Sequence, residues 1–195
     1  SMRANIYLEL EDTVAALKDF NQAIKINPSN EDYFESRADI LFNQGNYDEA
    51  NKDYQHIISL NPGSVIGYMG LGRNLKEQGE YAKAIELFSH VIKIHPEYSS
   101  GYSFRAEAYM GLKRYMEAAS DIVKALELDY DNKAFGLMID IADSAFVQIS
   151  TKLKAMAVTD ANSAYWPYCL GVINEHVKKY NDAITNYLKA SKLDE

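Results

Sequence analysis

The chain holds one cysteine, Cys169, among 195 residues, so no internal disulfide can staple it. That excludes the disulfide-dense scaffolds by which small secreted domains compensate for a thin core. The one Asn-x-Ser/Thr triplet, Asn27-Pro28-Ser29, has proline in its middle position and is no glycosylation acceptor. No uninterrupted apolar run reaches the length a membrane-spanning helix needs, which argues against membrane insertion. Basic residues are also in deficit, 20 Lys and Arg against 28 Asp and Glu, and the formal net charge of -8 argues against broad contact with nucleic-acid phosphates or anionic lipid. A soluble protein is expected, with the compartment open and a cytoplasmic location favoured. Ser1-Met2 has the look of a cloning remnant, so a native leader could have been removed.

Catalytic and metal-binding patterns are missing as well. The histidines His56, His90, His95 and His176 form no His-x-x-x-His pair and have no neighbouring cysteine, so zinc-ligand spacing is absent, and His90 and His95 read as surface and turn residues. Cys169 has no sequence-adjacent base and reads as a small buried hydrophobe. The run Gly67-Tyr68-Met69-Gly70-Leu71-Gly72 follows no strand and precedes no Gly-Lys-Ser/Thr, so it is no phosphate loop. Asp140 and Asp143 stand three apart on an apolar helix and are expected on its solvent side. No catalytic residue, metal ligand or cofactor is assigned, and the chain is not read as an enzyme.

What is present is a period. Tyr68, Leu71-Gly72, Leu75, Gly79, Tyr81, Ala84, Phe88, Val91 and Pro96 recur 34 residues earlier as Phe34, Arg37-Ala38, Leu41, Gly45, Tyr47, Ala50, Tyr54, Ile57 and Pro62. They recur 34 residues later as Tyr102, Arg105-Ala106, Tyr109, Lys113, Tyr115, Ala118, Ile122, Ala125 and Tyr130. A fixed period of this length predicts a repeat array whose core grows by stacking. Within each unit, apolar residues at three- and four-residue steps over two runs of about fourteen residues predict paired amphipathic helices. In the second unit these run near Glu31 to Gln44 and Tyr47 to Leu60.

Gly45 and Gly79 fall where the first helix must reverse, a conformation glycine reaches without a Cβ penalty. Asn46 and Glu49 form a candidate capping pair, and Pro62 and Pro96 act as stops. The small residues Ala38, Gly72, Ala106, Ala50, Ala84 and Ala118 are expected at close helix crossings, with the aromatic residues filling the space between hairpins.

This pattern resembles the tetratricopeptide repeat, whose unit is a helix-turn-helix of 34 residues with the same aromatic, Leu-Gly, Gly-x-Tyr, Ala, aromatic and Pro signature. The match is strong from Glu31 to Asn132. Upstream, Ala4, Tyr7, Ala16, Phe20, Ala23 and Pro28 fit a partial unit; downstream, Trp166, Leu170-Gly171, Tyr180, Ala183, Tyr187 and Ala190 fit a final one. Units are expected at about 3–30 (partial), 31–64, 65–98, 99–132, 133–163 (degenerate and shortened) and 164–195, as a single array over 1–195. In the degenerate unit the apolar run Phe135 to Ile149 predicts one buried helix and Leu153 to Val158 a shorter one. Uncapped end repeats lead to the expectation that the native chain extends beyond one or both ends, or that the end faces pair in a homodimer.

The resemblance implies an all-α, right-handed α-solenoid whose concave groove is lined by the first helices and commonly holds a peptide. Carried over residue by residue, the groove comprises Asp32, Glu35, Asp39 and Asn43, then Ile66, Met69, Arg73 and Lys76, then Ser100, Ser103, Phe104, Glu107 and Met110. Asn5 and Leu8 extend it upstream, and Tyr165, Tyr168, Val172 and Glu175 downstream. Clamping of a chaperone's terminal carboxylate, a known activity of the family, is not expected. Glu35 and Asp39 stand where lysine and asparagine would be needed, and Ser100 and Phe104 where the last cations would be. The expected function is a non-catalytic interaction scaffold whose partner is a protein or peptide with a basic end and a hydrophobic anchor. The alternative is a regulatory or substrate-recruiting segment of a larger enzyme.

Overall fold

A computed structural model describes Arg3, Ala4, Tyr7 and residues 12–194. Every regular element among the described residues is an α-helix, and the chain divides into two compact units, Ser1–Ile94 and His95–Glu195. The first unit contains α1 (Thr13–Ile26), α2 (Glu31–Asn43), α3 (Tyr47–Leu60), α4 (Val65–Glu77) and α5 (Tyr81–Ile94). The second contains α6 (Ser99–Gly111), α7 (Tyr115–Asp129), α8 (Asn132–Asp140), α9 (Ala142–Thr159), α10 (Tyr165–His176) and α11 (Tyr180–Leu193). The expected all-α solenoid class, built from stacked helix-turn-helix hairpins, is what the chain adopts.

The hairpin turns are set by backbone conformation. Gly45 and Gly79 have φ of +76° and +79°, in the left-handed region where glycine is unpenalised. The same slot in the fourth and last repeats holds Lys113 (φ 58°) and Lys178 (φ 62°), which accept that conformation at a cost. Ser64 and Asp131 cap α4 and α8, their side chains accepting from Gly67 N at 3.2 Å and Ala134 N at 2.8 Å. Asn46 precedes α3 but does not cap it as expected, because its amide turns back to donate to Gln44 Oε1 at 3.3 Å.

Packing follows the small and large slots. Ala38, Ala50, Ala84, Ala106 and Ala118 are fully buried at crossings, and a Cβ added at Gly70 would stand 2.2 Å from the Tyr54 ring. In the first unit Phe34, Tyr54, Ile57 and Leu71 form one cluster, with Leu41 and Leu87 against it, each fully buried ring or aliphatic side chain contributing about 2 kcal/mol. In the second unit α8 packs on α6, α7, α9 and α10, and α10 packs on α9 and α11.

The degenerate repeat departs from expectation. The run Phe135 to Ile149 is not one helix, since the chain breaks at Ile141, leaving a nine-residue α8 and an eighteen-residue α9. Ile141 and Ala142 are fully buried at the break, and Ala145 carries non-helical dihedrals (φ -135°, ψ 28°) just inside α9. Burial of this apolar corner, not a glycine or proline, sets the turn. Leu153 to Val158 is the end of α9 instead of a helix of its own. Asp140 and Asp143 are exposed, as expected.

Candidate functional site

In the first unit the predicted surface residues lie on α2 and α4. Glu35 is half-buried, Asp39 and Asn43 are exposed, and Asp39 Oδ1 accepts from the Tyr54 hydroxyl at 2.7 Å. Burial pushes the Glu35 carboxyl up from its ordinary value, and the carboxylates of Asp39, Asp32 and Glu31 push it further. The Tyr54 phenol is raised by burial and then by its hydrogen bond to Asp39, with Arg73 pulling the other way. Asp39, Tyr54, Glu35 and Arg73 therefore share one electrostatic neighbourhood. The Arg73 guanidinium lies 5.0 Å from the Phe42 ring centroid, and Lys76 pairs with Glu77 at 2.8 Å. Met69 does not reach this surface: it is 7% exposed and belongs to the core.

In the second unit Ser103 is likewise withdrawn, fully buried with its hydroxyl donating to the Ser99 carbonyl at 3.4 Å. Phe104, Glu107 and Met110 are half-buried on α6. Lys133, just inside α8, pairs with Glu107 at 2.7 Å and sets its ammonium 4.3 Å from the Phe104 ring centroid. The next ring is Phe135, stacked on Tyr168 of α10 at 6.1 Å and 11°, and Tyr168 is 6.0 Å from Tyr187 of α11. Tyr187 donates to Glu175 at 2.6 Å. Tyr168 is 46% exposed, and Tyr165 and Val172 are half-buried. The sequence places Phe135 in a buried run and Tyr187 in a repeat slot, and gives Lys133 no role. The signal that could have exposed them is the aromatic at Phe104 and again at Tyr168, two repeats apart and each on a first helix. Asn5 and Leu8 lie outside the described residues.

A second feature escaped sequence reading. Arg37 grips Asp53 through two hydrogen bonds of 2.8 and 2.5 Å, Arg105 grips Asp121 at 2.7 and 2.8 Å, and Arg3 grips Asp19 at 2.5 and 2.6 Å. All three pairs span sixteen residues, from first helix to second. Burial pushes the Asp121 carboxyl up while the Arg105 guanidinium pulls it down. The histidines also need correction. His90 is not a plain surface residue, because it packs on Tyr68 at 4.2 Å, as His56 packs on Phe34 at 4.2 Å. Cys169 is buried and its thiol is pushed up to about 12, chiefly by burial.

Among the described residues, no group of three or more His, Cys, Asp or Glu side chains is placed to hold a metal ion, and no helix is long and apolar enough to cross a membrane. The groups these faces present are carboxylates, rings and a few paired cations.

Comparison with known proteins agrees. A tetratricopeptide repeat model matches residues 41–108, a TPR repeat model residues 4–45 and a further tetratricopeptide repeat model residues 99–132. No curated protein matches the sequence. Among solved structures, a tetratricopeptide repeat protein from Parabacteroides merdae ATCC 43184 is similar with a TM-score of 0.66 at 18% identity, over 100% of this chain and 78% of that one. MamA from Desulfovibrio magneticus RS-1 is similar at 0.61 and 16% identity, over 98% and 90%. YrrB, described as a TPR protein with an unusual peptide-binding site, is similar at 0.59 and 19% identity, over 91% and 93%.

Proposed function

Because the chain belongs to the tetratricopeptide repeat family, whose repeats are generally non-catalytic interaction modules, we propose that it is a protein-interaction scaffold whose first-helix faces hold peptide segments of a partner. The face of α2 takes a basic segment. The face of α6, with Phe104 and Met110, takes an apolar one. The observation that carries this reading is the crowding of Glu31, Asp32, Glu35 and Asp39 on one short helix, where burial and mutual repulsion already raise the Glu35 carboxyl. A partner's ammonium or guanidinium group would relieve that repulsion. The similarity to YrrB supports peptide binding as the mode.

The test is fluorescence anisotropy with a labelled lysine/leucine heptapeptide and its glutamate/leucine counterpart. The lysine peptide should bind at least about tenfold tighter, a difference of about 1.4 kcal/mol. The Asp32→Lys/Glu35→Lys double variant, checked for an unchanged helical circular-dichroism spectrum, should abolish the preference. Equal affinity of the native chain for both peptides would overturn the basic-segment reading, and Phe104→Ala binding as tightly as the native chain would overturn the apolar one.

A further inference from the structure

The aromatic surface of the second unit calls for a different ligand from the acidic face of α2. Phe135 on α8, Tyr168 on α10 and Tyr187 on α11 follow one another at centroid distances of 6.1 and 6.0 Å. Beside Tyr168 and Tyr187 opens a shallow hollow of about 430 Å³, also lined by Tyr165, Ala164 and Ala190, with Asp194 the charged side chain in its lining. A second carboxylate, Glu175, is held in place by the Tyr187 hydroxyl.

Three physical points select the occupant. First, the surface is built entirely from helices, whose backbone N–H and C=O groups are already paired, so it offers no edge to which an extended strand could add. Second, a polyproline II segment needs no such edge: it has no internal hydrogen bonds, packs pyrrolidine rings on aromatic faces and loses little conformational entropy on docking. With three residues per turn and a rise of about 3.1 Å per residue, it turns the same face to the rings once in about 9.3 Å, so a row of several rings, not a single one, is what holds it. Third, the two carboxylates give the surface a negative sign within a chain of formal net charge -8, which suits a cation beside the prolines.

We propose that the Phe135, Tyr168 and Tyr187 surface binds a proline-rich segment in the polyproline II conformation, with an arginine next to the prolines directed at Glu175 or Asp194. The rings supply the contact area and the carboxylates set the orientation.

Trp166 is the chain's only tryptophan, and its ring lies 5.2 Å from that of Tyr165, so intrinsic fluorescence reads occupancy without a label. The full chain is titrated with a decapeptide of eight prolines and two arginines, with the same peptide carrying alanine for proline, and with one carrying glutamate for arginine. The first should shift the Trp166 emission and bind at least about tenfold tighter than either control. Tyr168→Ala should weaken it about tenfold or more, Tyr168→Phe about twofold or less, and Glu175→Gln should narrow the gap between the arginine and glutamate peptides. Asp32→Lys/Glu35→Lys, which tests the other unit, should leave this binding unchanged, so the two proposals can fail separately. Equal binding of the alanine peptide, or indifference to Tyr168→Ala in a variant of unchanged melting temperature, would overturn the proposal. So would a single-stranded oligonucleotide or an oligosaccharide bound more tightly at the same tyrosines.

Discussion

Arg105 and Asp121 show what the repeat demands of single residues. Asp121 is 6% exposed, so its carboxylate has lost most of its water and depends on the two guanidinium bonds of 2.7 and 2.8 Å for compensation. The chain contains its own control: the corresponding positions of the third repeat are Leu71 and Leu87, packed in one apolar cluster. Removing one partner should therefore be far worse than replacing both. Asp121→Ala should lose about 3 kcal/mol in urea unfolding, whereas Arg105→Leu/Asp121→Leu should fall within about 1 kcal/mol of the native chain. A double variant as unstable as Asp121→Ala would show that the ion pair does more than fill an internal slot. The pair was hidden in the sequence although Arg37 and Arg105 were recognised as slot residues, because a spacing of sixteen crosses the hairpin turn and matches no helical period.

At the scale of elements, legibility tracked punctuation. Between Glu31 and Leu60 a glycine turn and a proline stop bracket each helix, and α2 and α3 fall within a residue of where periodicity put them. From Asn132 to Thr159 no glycine or proline marks the turn, and the apolar run reads as one helix. The break at Ile141 falls where α8 and α9 both pack on α7 and on α10, so the corner itself becomes core. Met69 and Ser103 were misplaced for a related reason: the position within the repeat says which way a side chain points but not how closely neighbours cover it. Ile141, fully buried, is the test of the corner. Ile141→Ala should cost about 3 kcal/mol, by lost transfer energy plus the cavity left behind, and hydrogen exchange should rise in α8 and the start of α9 before it rises in α6 or α7. Uniform loosening of the whole second unit would mean that the break is held elsewhere.

For the whole molecule, the imbalance of 28 acidic against 20 basic residues is the property that acts before any contact forms. An acidic surface draws a cationic segment over a distance set by the Debye length, about 10 Å at 0.1 M salt, and this steering enters the association rate and not the dissociation rate. The two proposed surfaces should then separate by salt. For the lysine/leucine peptide on the α2 face, raising ionic strength from about 0.05 to about 0.5 M should lower the association rate about tenfold in stopped-flow mixing and change dissociation by about twofold or less. For the proline and arginine peptide, whose hold on Tyr168 and its neighbouring rings is apolar contact, the same change should slow association by about threefold or less. If the lysine peptide lost affinity through faster dissociation instead, close ion pairing at α2, and not the field of the whole chain, would be what recognises the partner.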